Sequence, residues 1–117
     1  MKNEQKLRKA TKTVLVHFTG NRETDYHQIK KDALREGILE IGFHYIIEGD
    51  GTLLMGRHQS QVGSYNSEFD EVSVGICVAA ERDGMTDEQS IALTLILDKL
   101  RNDYPAVESV KYIYRTT

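Results

Sequence analysis

The sequence has very little of several features that would mark a specialised class of protein. It has one cysteine, which excludes an internal disulfide framework and favours a reducing, intracellular location. Its longest apolar runs are only a few residues, so we expect no membrane-spanning segment. The basic residues 1–12 have no apolar run behind them, which argues against a secretory signal peptide. These absences together favour a cytoplasmic protein.

What is present fits one globular domain with a basic terminus. The chain has 117 residues, of which 39% are hydrophobic and 28% charged. Residues 1–12 hold five basic side chains and one acidic, a charge of +4, and the whole chain carries −3, so the remainder carries −7. We predict a basic arm over 1–12 and a domain over 13–117. The candidate partner-binding residues of the arm are Lys6, Arg8, Lys9 and Lys12; the alternative is a solubilising terminus.

The apolar patterns predict seven elements in the order β-α-β-β-β-α-β. Turn chemistry supports them, with an Asp-Gly hairpin signal at Asp50-Gly51 and a capping box at Thr86–Gln89. The predicted strands are 13–18, 42–48, 52–57, 72–79 and 109–114, and the predicted helices are 25–36 and a second that follows the capping box and ends before Pro105. This order predicts an α/β fold, a mixed β-sheet packed with two main helices.

Several short segments carry a likeness to a known family. They are VHFT at 16–19, IGFHYII at 41–47, DGT at 50–52, GR at 56–57, VGSY at 62–65 and SVGIC at 73–77. In this order and spacing the chain resembles the type-2 N-acetylmuramoyl-L-alanine amidases, which include the short lysozymes of T-odd coliphages and the peptidoglycan-recognition proteins. The likeness covers roughly residues 10–117 and implies the amidase fold.

The resemblance implies a zinc hydrolase with two histidine ligands, one cysteine ligand, and a tyrosine and a lysine that stabilise the oxyanion. Only His17 matches, as the first metal ligand. Phe43 stands where the catalytic tyrosine belongs and has no hydroxyl to donate. Tyr65 replaces a usual histidine, Tyr112 and Tyr114 occupy the region of the second ligand, and the third ligand and the lysine are expected beyond residue 117. We therefore predict a degenerate cleft of Phe43, Tyr65, Tyr112 and Tyr114 around a relic ligand, with no catalytic residue.

Other residues are not expected to rebuild the site. His44 follows Phe43 on a predicted strand, so it is expected to point to the opposite sheet face as a hydrogen-bonded structural histidine. Cys77 lies in an apolar strand, where a lone thiol is usually a small buried hydrophobe. Neither an HExxH nor a CxxC spacing occurs in the chain.

Three functions follow from this interpretation. The first is non-catalytic binding of a macromolecular partner, because the phage lysozymes it resembles also inhibit the single-subunit RNA polymerase of their phage. The second is binding of a peptidoglycan fragment, and the third is a divergent active zinc amidase, an endolysin. We expect a protein partner, with an RNA polymerase as the precedent, no membrane, and no role for nucleic acid as sole partner. The location would be the host cytoplasm if a phage encodes the chain. No cofactor is expected, and zinc only if the third function holds.

Overall fold

A computed structural model describes residues 6–37 and 40–114, except for the side chain of Arg82. The strands are β1 (Thr13–Phe18), β2 (Tyr45–Ile47), β3 (Leu53–Met55), β4 (Ser73–Val78) and β5 (Ser109–Tyr114), and the helices are α1 (Tyr26–Arg35) and α2 (Asp87–Asp103). One sheet has the strand order β3-β2-β4-β1-β5. Its pairs are parallel except for the antiparallel edge strand β3. The predicted mixed α/β sheet with two helices is confirmed.

The two helices cover opposite faces of the sheet. Along β1, Val14, Val16 and Phe18 join the cluster that contains Leu93, Ile96 and Leu100 of α2. On the other face, Ile29 of α1 packs with Ile41, Ile46 and Cys77. Alternate side chains of a strand point to opposite faces, so His17, between Val16 and Phe18, faces the α1 side. This alternation puts the predicted metal ligand beneath α1.

Capping interactions begin both helices where the sequence predicts them. Asp25 accepts a hydrogen bond from the Gln28 backbone N–H at 2.9 Å. Thr86 and Gln89 form the reciprocal capping box in front of α2. The fully buried Gln89 side chain also donates to the carbonyls of Glu48 and Ala79, at 3.1 and 2.9 Å. The cap therefore also ties α2 to the ends of β2 and β4.

The hairpin strands are shorter than predicted. β2 and β3 have three residues each, whereas the apolar pattern predicts 42–48 and 52–57. The backbone bends before β2, where Gly42 lies so close to the Ser64 carbonyl that a Cβ would overlap it. Ser64 N–H donates to the Gly42 carbonyl at 3.1 Å, so this stretch pairs with a loop instead of a strand. Apolar content alone does not reveal that bend.

The predicted basic arm is not a free segment over the residues described. Arg8 N–H donates to the Ser60 carbonyl at 2.8 Å, and Lys12 N–H donates to the Val72 carbonyl at 2.7 Å. The Arg8 side chain donates to the Gln61 carbonyl at 2.9 Å and lies 5.2 Å from the ring centre of Tyr104. Residues 6–12 therefore dock on the domain, because their backbone groups find partners there. Residues 1–5 lie outside the described residues. No helix in the described part of the chain is long and apolar enough to cross a membrane.

Candidate functional site

His17 lies in β1, next to Cys77 of β4 and Ile113 of β5 in the parallel register. Its ring is half-buried and meets the ring of Phe43 edge-on, with centroids 5.5 Å apart. In the family pattern the position of Phe43 belongs to a tyrosine, so the structure brings together the two positions that the resemblance pairs. The group that His17 meets here is a hydrocarbon ring.

Tyr65 continues this aromatic row into the sheet. Its ring stacks on Phe43, with centroids 5.2 Å apart and planes 7° apart. The hydroxyl lies 3.0 Å from the Ser73 carbonyl and 2.7 Å from the Ser73 hydroxyl. Burial raises the pKa of this phenol. Tyr65 is therefore held as a neutral, hydrogen-bonded group.

Glycines at two positions make room for that ring. A Cβ on Gly75 of β4, or on Gly63, would overlap the Tyr65 ring. The chain can bring an aromatic side chain this close to the sheet only because those residues have no side chain. The sequence motifs around Gly63 and Gly75 therefore have a packing reason that depends on Tyr65.

The other predicted cleft tyrosines lie on the α2 side of the sheet. Tyr112 pairs in register with Val16, and Tyr114 pairs with Phe18, which places both on the face opposite His17. Their rings stack on Phe18, with centroid distances of 6.3 and 5.4 Å. Tyr114 still borders the end of the cleft, but Tyr112 does not line it. The prediction of one cleft with four aromatic residues is wrong for Tyr112, because strand alternation turns it away.

An open cleft of about 1180 Å³ runs from His17 between α1 and the segment around residues 81–83. Its floor includes Phe43 and Tyr65. Its walls carry the acidic side chains of Asp32 in α1, of Glu36 directly after that helix, and of Glu81 and Asp83 across from it. Sequence reasoning missed these walls. The spacing of Gln28, Asp32 and Arg35 in the sequence indicates that they share one face of the helix. It does not indicate that this face borders the cleft.

His44 is buried and fully engaged. Its Nδ1 accepts from the Gly75 N–H at 2.9 Å, and its Nε2 lies 2.7 Å from the Gln61 carbonyl. Burial lowers its pKa from 6.5 to about 4, which keeps the ring neutral at pH 7. The structural role is as predicted. The prediction that His44 lies on the opposite face from Phe43 is wrong, because both rings contact Tyr65. Residues 41–44 precede β2 and do not alternate as a strand does.

The described residues do not fit a catalytic zinc. Within residues 6–37 and 40–114, no three His, Cys, Asp or Glu residues are placed to share a metal ion. Cys77 neighbours His17 but is 2% exposed, and burial raises its thiol pKa to about 12. In the metal-free protein this thiol is therefore protonated.

The four candidate partner-binding residues have different surroundings. Lys6 forms an ion pair with Glu71 at 3.3 Å, and Arg8 is held by Gln61. Lys9 and Lys12 are exposed. The described part of the predicted arm thus offers two outward lysines on a segment that is fixed to the domain.

Comparison with known proteins identifies the family. The endolysin of Enterobacteria phage K11 is 32% identical over 108 residues, which are 84% of this chain and 72% of that relative. The endolysin of Escherichia phage T7 is 30% identical over 76 residues, 62% of this chain and 50% of its own length. No protein-family model matches.

Solved structures agree on the fold. The N-acetylmuramoyl-L-alanine amidase LysCS from Clostridium intestinale has a TM-score of 0.80 at 24% identity, covering 87% of this chain and 68% of its own. A tyrosine-to-phenylalanine mutant of Drosophila PGRP-LB, in complex with tracheal cytotoxin, has a TM-score of 0.73 at 20% identity, covering 91% of this chain and 72% of its own. The chain belongs to the family of phage endolysins that includes those of phages K11 and KP32, and it shares its fold with N-acetylmuramoyl-L-alanine amidases and peptidoglycan-recognition proteins.

Proposed function

We propose that this chain binds a peptidoglycan fragment in the cleft and does not hydrolyse it. The observation that carries the proposal is the Phe43 ring, 5.5 Å from His17, at the base of an open cleft of about 1180 Å³. The cleft provides room for a ligand of several sugar or amino-acid units. The base of the cleft lacks the hydroxyl that the family pattern places beside the first metal ligand.

The neighbouring polar groups do not replace that hydroxyl. The Tyr65 hydroxyl is bound to Ser73, and burial raises its pKa, so it is a poor proton donor to a ligand. Both ring nitrogens of His44 are occupied by Gly75 and Gln61. Losing one preorganised oxyanion donor costs about a hundredfold or more in rate. The absence of the tyrosine hydroxyl therefore weighs strongly against efficient amide hydrolysis.

Binding of a ligand does not require the oxyanion donor that hydrolysis requires. The Phe43 ring supplies an apolar surface on the floor, while Asn21, Gln28 and Ser64 supply polar groups around it. Two similar structures support a fragment as the ligand. One is the PGRP-LB mutant, and the other pairs the PGRP-LCa and PGRP-LCx ectodomains; both are complexes with tracheal cytotoxin. These complexes describe those proteins and support the proposal for this one.

Isothermal titration calorimetry with a purified disaccharide-tripeptide tests this function. We expect saturable binding that Ser64→Trp, at the cleft, weakens by about tenfold or more. Ser67→Trp is the matched control, because Ser67 is exposed and does not line the cleft. Absence of binding, or equal weakening by both variants, would refute the assignment of the ligand to this cleft.

A second candidate function is binding of a protein partner, with inhibition of a single-subunit phage RNA polymerase as the family precedent. The observation that favours it is the docked segment 6–12, which holds Lys9 and Lys12 exposed on a fixed backbone. The test is transcription by such a polymerase in the presence of the protein. Inhibition lost in Lys9→Glu/Lys12→Glu but kept in the control Lys30→Glu/Lys31→Glu, on exposed α1 positions, would support it. Unchanged transcription at saturating protein would reject it.

A further inference from the structure

The edge strand β3 presents an unusually apolar and unprotected edge. Its sequence is Leu53-Leu54-Met55, with no charged residue or proline of the kind that commonly protects a sheet edge. Leu53 is 40% exposed and Met55 is 56% exposed. In the antiparallel register Leu53 pairs with Ile47 and Met55 with Tyr45, so both side chains lie on the α2 side of the sheet.

The backbone of the same two residues is directed outward. Glu48 N–H donates to the Thr52 carbonyl, and Gly56 N–H donates to the His44 carbonyl, each at 2.9 Å. Hydrogen-bonded and non-hydrogen-bonded pairs alternate along an antiparallel ladder. Residues 53 and 55 are therefore non-hydrogen-bonded positions, whose N–H and C=O groups point away from β2. A further strand could pair with those groups.

One flank of α2 runs beside this edge. At its beginning, Glu88 lies so close to Gly51 that a Cβ there would be 2.6 Å from the Glu88 Cβ. Three turns further on, Lys99 donates to the Gln59 side chain at 3.0 Å. Leu95 lies on this flank between the two contacts, at helical spacing, and Ile91 lies one turn before it. They are 64% and 61% exposed. We call Leu53, Met55, Ile91 and Leu95 the edge patch.

Acidic side chains surround the edge patch. The exposed carboxylates are those of Asp50 at the hairpin turn and of Asp87, Glu88, Asp98 and Asp103 along α2. Lys99, on the flank that faces the edge, pairs with Asp103 at 2.6 Å. This charge disfavours a second copy, because two such surfaces repel each other, and it attracts a segment with basic ends.

We propose that the edge patch binds an extended protein segment, with apolar residues at alternate positions and lysine or arginine at its ends, as a sixth strand beside β3. Main-chain hydrogen bonds to residues 53 and 55 pair the partner segment with β3. The four exposed apolar side chains of the edge patch contact the apolar residues of the partner. The acidic side chains around the edge patch attract the lysine or arginine residues at the ends of the segment. This surface lies on the sheet face opposite the cleft, so the proposal does not depend on the proposed function.

Fluorescence anisotropy with a synthetic peptide tests the proposal. The probe is a labelled nonapeptide of alternating valine and threonine with two lysines at each end. We expect binding that falls about tenfold or more when glutamates replace the lysines and is lost when alternate peptide nitrogens are methylated, because N-methylation removes the strand donors. We also expect Met55→Lys to weaken binding about tenfold or more. The matched control Leu34→Lys changes a residue 52% exposed on α1 and should leave binding unchanged.

Three outcomes would overturn the proposal. One is no binding of the probe by the folded protein at any concentration up to the solubility of the peptide. Another is equal binding of the N-methylated peptide, which would show that no strand forms. The last is sedimentation of the protein alone as a dimer that Met55→Lys dissociates, since the edge patch would then belong to a second copy. A shift of the backbone amide signals of residues 53–55 on addition of the probe would support strand addition directly.

Discussion

Protonation of His44 should make the protein lose stability in mild acid. His44 is fully buried, with its Nδ1 bound to the Gly75 N–H and its Nε2 to the Gln61 carbonyl. Its pKa falls from 6.5 to about 4, chiefly because burial penalises the charged ring. The unfolded chain takes up a proton near the ordinary pKa, while the folded protein does so only near 4. Between these values the unfolded state therefore holds more protons.

The sign and size of the change in the free energy of unfolding with pH follow from that difference in bound protons. Above pH 6.5 the ring is neutral in both states and the stability is unaffected. Below it, the free energy of unfolding falls by about 1.4 kcal/mol per pH unit until the folded protein also takes up the proton near pH 4. The full loss from this residue is about 3 kcal/mol, of the order of a third of the stability of an ordinary domain.

Urea unfolding at a series of pH values between 7.5 and 4.5 measures this effect. In His44→Gln, which keeps a donor and an acceptor but does not titrate, the fall in stability should be smaller by about 2.5 kcal/mol. The matched control is His27→Gln, since His27 is exposed on α1. If folded His44→Gln shows the same pH dependence as the unsubstituted protein, His44 is not the titrating group and the reasoning fails.

Other predictions concern packing, reactivity and docking. Gly75→Ala should lower the free energy of unfolding by about 2 kcal/mol, because the new Cβ overlaps the Tyr65 ring; urea unfolding measures it, and an unchanged midpoint would contradict the contact. Cys77 should resist a thiol-reactive disulfide reagent at pH 8 and react fully in denaturant, since its thiol is buried with a pKa of about 12; rapid reaction of the folded protein would disprove this. Arg8→Ala should lower the free energy of unfolding by about 1–2 kcal/mol, because it removes the hydrogen bond to the Gln61 carbonyl. An unchanged thermal unfolding temperature would contradict this and indicate that residues 6–12 are not docked.

The sequence predicted the fold well, because local signals and global packing agree. The short run of β-branched residues at 13–18 predicted β1, and the caps at Asp25 and Thr86 predicted the starts of both helices. The bend at residues 41–44 escaped prediction, because it depends on how closely Gly42 approaches a distant loop carbonyl. A close approach of backbones far apart in sequence leaves no periodic pattern.

The candidate site was only partly predictable for a similar reason. The resemblance placed His17, Phe43 and Tyr65 in one site, and the structure brings their rings into contact. It also placed Tyr112 there, but the parallel register with Val16 turns that side chain to the α2 face. The docking of residues 6–12 was missed because its backbone hydrogen bonds, and the bond from the Arg8 side chain to the Gln61 carbonyl, join residues far apart in the sequence and leave no local pattern.

The most direct test of the central claim is mass spectrometry of the ligand after binding. The disaccharide-tripeptide is incubated with the protein and with zinc in excess, at a concentration where calorimetry shows saturation. We expect that all of the ligand is recovered intact and that the dialysed protein holds no stoichiometric zinc. Recovery of the free tripeptide and the disaccharide, with one zinc per chain that His17→Ala removes, would contradict it and identify an active amidase.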